Sequence, residues 1–165
     1  DLVEQIEREQ FSLVSGLASD LEARLNERLE ALDRAGTTVP PEAFRDPAAL
    51  TRHLRREAAL LGLVDELFIT DARGVVMADW PERPGRRQLE LSSREYIRQV
   101  LRDGKPIISQ PLHGLTTGEP AIVLAAPIKG DQGEVLGILA GALNLDQPNL
   151  LGSLTQRKVG ENGYL

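Results

Sequence analysis

The chain has 165 residues, a formal net charge of −6 and no cysteine. That length suits one domain burying about two-thirds of its unfolded surface without a staple, and the lack of thiols excludes disulfides, thiolate zinc sites and a cysteine nucleophile. Its cations, 16 arginines and 3 lysines, are scattered among acids on expected helices as solvated faces are, so nucleic acid is not an expected partner.

Residues 1 to about 35 contain no proline, and only Gly16 interrupts a helical pattern. Val14, Ala18, Leu21, Leu25, Leu29 and Leu32 lie three or four residues apart, which lays one apolar stripe along a helix. At about 1.5 Å per residue the helix would be roughly 50 Å long. It can pack on its own domain, and the same spacing suits a seam with a second copy. "GTTVPPEAF" breaks it. A second helix follows, with Asp46 as N-cap, Pro47 at its first position and an apolar face of Leu50, Leu54, Ala58 and Leu61, ending at Gly62.

The remainder turns β-rich. "ELFITD" and "VVMADW" read as a hairpin, with Gly74 supplying the positive φ of its turn. The proline-containing loop "PERPGRRQLEL" leads to a third helix, for which Ser92 and Glu95 have capping-box spacing and Gly104 is the stop. "PIISQPL", "AIVLAAPI" and "VLGILAGALNL" then form three strands joined by short turns, an antiparallel meander. A short helix closes the order. The last two strands are apolar on both faces and belong at the sheet centre, covered by the first two helices on one side and by the loop and helix of residues 81–104 on the other. The expectation is an α+β domain with a five-stranded antiparallel sheet.

Catalytic and metal-binding groups do not converge. His53 and His113 stand on a helix and in a turn, with no motif pairing either to a serine or an acid. No His/Asp/Glu cluster has metal spacing, no glycine-rich loop links strand to helix, and "DQGE" reads as a hairpin turn rather than a calcium loop. No enzyme activity, cofactor or metal is expected. No 18-residue apolar run is present, so nothing in the chain is expected to span a membrane. The abrupt ends "DLVEQIEREQ" and "VGENGYL" read as cuts in a longer protein.

The segments "LFITDARGVVMADWPERPG", "SSREYIRQVLRDGKPIISQP", "TTGEPAIVLAAPIKGDQGEVLGILAGALNL" and "KVGENGYL" resemble, in that order, a Cache module, the PAS-like sensor domain of bacterial receptors. The resemblance covers roughly residues 64 to 165. The last segment is similar to the passage from the membrane-distal module into a second module of double-Cache receptors. The resemblance implies residues 1–36 as a membrane-emerging, dimerising helix, residues 37–156 as the sensor module and residues 157–165 as the start of a connection. It also implies a periplasmic location in an inner-membrane protein, anchored by segments outside this chain. The output would be a histidine kinase, a chemotaxis transducer or a diguanylate cyclase.

In such a fold the loop and helix between the second and third strands roof a pocket. "REY" resembles the family's arginine followed by an aromatic. Arg94 could grip a carboxylate with two prongs, while Tyr96 closes the apolar side and donates a hydrogen bond. Backbone N–H groups at Ser92 and Ser93 would favour an anion. Topology and side-chain type add Trp80, Ser109, His113, Thr117 and Lys129. The amino-acid-binding pattern has a second aromatic after the first and an aspartate in the last strand. Here Ile97 and Ala142 stand in those places, so a small carboxylate is favoured over an α-amino acid. The rival readings are a ligand-free structural dimerisation module, its pocket filled by Leu89, Leu91 or Trp80, and a cytoplasmic PAS or GAF regulatory domain. Against a filled pocket, Ala125, Ala126, Ala140 and Ala142 leave room at the centre.

Overall fold

The computed structural model describes residues 2–145 apart from Thr116, with side chains from residue 19 onward except Ala58. The expected closing helix and "KVGENGYL" lie outside the described residues. The first helix, α1 (Leu2–Gly36), is continuous. Along its last turns Leu25, Leu29, Leu32 and Ala35 are buried against the sheet. Arg28 Nε donates to the Leu63 carbonyl at 2.9 Å, tying the helix to the entry of the first strand.

Helix α2 (Pro47–Arg56) starts as its sequence dictates, with the Asp46 side chain accepting from Ala48 N at 3.1 Å. It stops earlier than expected. At Glu57 the backbone turns to φ −90°, ψ 23°, and residues Ala58–Gly62 continue as a 3-10 turn. Leu50 and Leu54 are fully buried.

Six strands form one antiparallel sheet: β1 (Glu66–Asp71), β2 (Val76–Trp80), β3 (Ile107–Ile108), β4 (Leu112–His113), β5 (Pro120–Lys129) and β6 (Val135–Asn144). The order is β2-β1-β6-β5-β3, and β4 also pairs with β5. The count exceeds the expected five because "PIISQPL" is split. Ser109 Oγ accepts Val123 N at 2.8 Å in place of a carbonyl, and Pro111 has no N–H to offer the ladder.

Side-chain alternation sends Leu67, Ile69, Leu124, Ala126, Leu139 and Leu143 toward α1 and α2. Phe68, Val123, Ala125, Ile138, Ala140 and Ala142 face the other way, under helix α3 (Glu95–Asp103). Both faces are covered as expected. A register shift between Ile69 and Thr70 leaves Met77 opposite neither. This bulge turns Val76 to the α3 face although Ala78, two residues on, joins the α1/α2 core.

At the β1–β2 turn Gly74 has φ +85°. Asp71 Oδ1 accepts from the backbone N–H of Arg73 and Val75, and the Gly74 carbonyl accepts from Leu91 N at 2.9 Å. The hairpin tip therefore fixes the segment that enters α3. That helix begins at Glu95 with Arg94 as its N-cap and no side-chain cap bond. The capping box expected from Ser92 and Glu95 does not form, because Ser92 and Ser93 lie in the preceding turn. Glu95 instead pairs with Arg98 at 2.8 Å. The expected stop holds, with Gly104 at φ 63°, ψ 29°.

Candidate functional site

The sheet face under α3 is only partly filled. Where Ala121 and Ala142 stand on neighbouring central strands, a cleft opens between the sheet, the loop before α3 and the segment after β4. Its cavity volume is about 70 Å³, and it is open to solvent on one side. Phe68, Val123 and the two alanines form its floor, and Leu89, Leu91, Arg94 and Tyr96 form its roof. Leu112, Leu115 and Thr117 stand at the rim, where Leu115 is 55 % exposed. Glu66, Arg86 and Asn144 supply its polar end.

Arg94 reaches the roof because it caps α3 from an extended backbone. Its Nη2 donates to the His113 carbonyl at 2.8 Å, and among the described residues it has no acidic partner. Tyr96, one turn into the amphipathic α3, is buried. Among the described residues its hydroxyl has no hydrogen-bond partner. Burial pushes that hydroxyl from 10.0 up to about 12, partly opposed by the Arg94 guanidinium, so Tyr96 presents a neutral O–H at neutral pH.

The polar end is an ion cluster. Arg86 Nε donates to Asp79 Oδ2 at 2.7 Å, Nη1 to Glu66 Oε2 at 2.5 Å and Nη2 to the Pro81 carbonyl at 2.5 Å. Arg83 donates its backbone N–H to Asp79 Oδ2 and brings Nη2 to 2.5 Å from Glu66 Oε1. That last approach is an ion pair off the hydrogen-bonding direction, so Oε1 has no hydrogen bond. Glu66, Asp79 and Arg86 are all buried.

Of the seven candidate residues, Arg94, Tyr96 and Thr117 line the cleft. Trp80 faces the other way, opposite Leu67, with the Arg55 guanidinium 4.9 Å from its ring centroid. Ser109 is buried in the β3–β5 ladder, bonded to Val123 N and the Gln110 carbonyl. His113 supplies its carbonyl to Arg94 while its ring meets the Gly118 carbonyl at 3.1 Å. Lys129 is exposed at the far end of β5, beside Gly104. Sequence reasoning missed Glu66, Arg86 and Asn144. A signal was available for the first: a carboxylate inside an apolar strand needs a partner when buried. Nothing marked which arginine of "RPGRR" would turn inward.

An antiparallel sheet with α1 and α2 on one face and a cleft under α3 on the other has the architecture of a PAS-like module. The family model described as a Cache domain matches residues 1–165, and the chain belongs to that family. Cache domains are typically extracytoplasmic sensor modules of membrane receptors. A search of curated proteins gave no match. The fold is similar to the Vibrio cholerae histidine kinase DctB sensor domain (TM-score 0.69, 16% identity, 88% of this chain and 58% of that one). It is also similar to the ligand-binding domain of the Pseudomonas aeruginosa chemoreceptor PctC in complex with GABA (0.64, 16%, 93% and 68%). A third likeness is to that of the Pseudomonas fluorescens chemoreceptor CtaA in complex with L-serine (0.64, 20%, 86% and 60%). The chain thus spans 58–68% of these three domains. Among the described residues no helix is long and apolar enough to cross a membrane.

Proposed function

We propose that this chain is the periplasmic ligand-sensing part of a transmembrane receptor, and that the cleft takes a small carboxylate on Arg94. The observation that carries the reading is a roof guanidinium bonded, among the described residues, to a single carbonyl and standing with a neutral Tyr96 hydroxyl that has no partner among them. Arg94 then offers its free N–H groups to a carboxylate and Tyr96 donates to the same anion. Leu89 and Leu91 stand as walls and Trp80 lies on the opposite face, which favours a ligand site over a pocket filled by its own side chains.

In this reading residues 1–36 are the membrane-emerging helix and pair with a second copy. Residues 37–156 are the sensor, and residues 157–165 lead toward a further module. Anchoring comes from segments outside this chain, and the output is a kinase, a chemotaxis transducer or a diguanylate cyclase. Ligand closes the roof onto the sheet, and the shift passes to α1 through the Leu25–Ala35 contact.

A thermal-shift screen of small carboxylates, amines, amino acids and sugars tests the ligand reading. A carboxylate at 100 times its Kd stabilises by about 2.7 kcal/mol, on the order of 5 °C here. Arg94→Ala should abolish that shift. Carboxylate binding that survives the substitution would remove Arg94 from the site, and a folded protein unmoved by every carboxylate would defeat the proposal.

A further inference from the structure

Glu66 lies on the cleft wall with its backbone paired to that of Ala142. A buried carboxylate there would ordinarily attract a ligand ammonium. Both its oxygens are already neutralised, Oε2 by Arg86 and Oε1 by Arg83. With Asp79 included, the cluster holds two carboxylates and two guanidiniums, a net charge of zero. Among the described residues, Arg94 at the roof then leaves one uncompensated positive charge facing Phe68, Leu89, Leu91 and Leu112. One carboxylate with an aliphatic body satisfies that arrangement. An added ammonium, or a second carboxylate, would be desolvated with no counter-charge to meet it among the described residues.

The two arginines that neutralise Glu66 differ. Arg86 is buried and makes three bonds, whereas the Arg83 side chain is 46% exposed and touches Glu66 by an ion pair alone. Arg83 is therefore a removable cover over a carboxylate oxygen that has no hydrogen bond.

Resting on the Arg94 reading above, we propose that the cleft selects aliphatic monocarboxylates over amino acids and dicarboxylates of the same length. Arg83 is the specificity-determining residue: by covering Glu66 Oε1 it withholds the acid of the cleft lining from a ligand ammonium.

Calorimetric titration of the purified chain tests this with straight-chain monocarboxylates from propanoate to octanoate, each beside its 2-amino and ω-amino counterparts and the dicarboxylate of equal length. The best monocarboxylate should bind about tenfold tighter or more than its matched partners, a difference of about 1.4 kcal/mol. Arg83→Ala should move the amino-acid to monocarboxylate affinity ratio about tenfold toward the amino acid. Glu66→Gln added to Arg83→Ala should cancel that gain. Arg83→Gln, which keeps the start of the side chain's stem and removes its charge, serves the same comparison if the alanine variant folds poorly. Amino acids or dicarboxylates binding the wild type as tightly as monocarboxylates would overturn the selectivity and leave the Arg94 reading standing. An unchanged ratio in both Arg83 variants would overturn the role of Arg83. If no carboxylate binds the folded protein, both readings fall together.

Discussion

Tyr96 and Arg86 show how far single side chains set the behaviour of this domain. Tyr96 is buried as a neutral phenol with its pKa raised to about 12. Its contribution to stability is fully present below pH 10, the unfolded value, and is lost as pH rises through 12. A shift of that size is on the order of a few kcal/mol. Urea unfolding of the wild type against Tyr96→Phe should therefore show a stability gap that shifts against the wild type between pH 10 and 12, because the phenylalanine variant lacks this loss. A gap that stays constant would mean the hydroxyl is not desolvated. Arg86 answers two buried carboxylates at once. Arg86→Met should cost about 3–5 kcal/mol by leaving them uncompensated, and Glu66→Gln with Asp79→Asn in the same chain should recover much of it in urea unfolding. An Arg86→Met loss below about 1 kcal/mol would show that water reaches the cluster.

Among the elements, the β1–β2 hairpin does more than pair strands. Its Gly74 carbonyl holds Leu91, and a Cβ at Gly74 would lie 3.1 Å from Ile97 Cγ2 and 3.3 Å from Ser92 N. Gly74→Ala should cost about 1–2 kcal/mol for the positive φ alone, read as a lower urea midpoint. Because the turn positions the roof segment, carboxylate affinity should fall as well. A variant as stable as the wild type would mean the turn relaxes to another conformation. The hairpin and its glycine were legible from "DARGVV", since a tight turn between two β-rich runs has few solutions. The break within "PIISQPL" was not. Its cause is the Ser109 hydroxyl meeting Val123 N, a contact between residues fourteen apart.

For the whole molecule, α1 is a 35-residue helix of which the final turns pack on the sheet. If a second copy covers the rest, stability must depend on protomer concentration. The melting temperature should then rise across a hundredfold increase in protein, and removing residues 1–20 should abolish the dependence while the sensor stays folded. A concentration-independent melting temperature in the intact chain would rule out pairing by the isolated domain.

Periodicity by itself placed the three helices, the β1–β2 hairpin and the two-sided sheet, because burying both faces of apolar β5 and β6 leaves no other place for the helices. Attention fell on Arg94 and Tyr96 through the resemblance of "REY" rather than through periodicity, and the fold brings the two together on the cleft roof. The direction of a side chain near an irregularity was beyond periodicity. One extra residue at Met77 reverses the alternation of β2, putting Val76 and Asp79 toward the cleft and Ala78 toward the helices. Glu66, Asp79, Arg83 and Arg86 lie up to twenty residues apart and meet only when β1, β2 and the following loop fold over one another. The charge of the cleft was therefore decided by tertiary structure, since a buried ion's partners come from whichever strands and loops close around it.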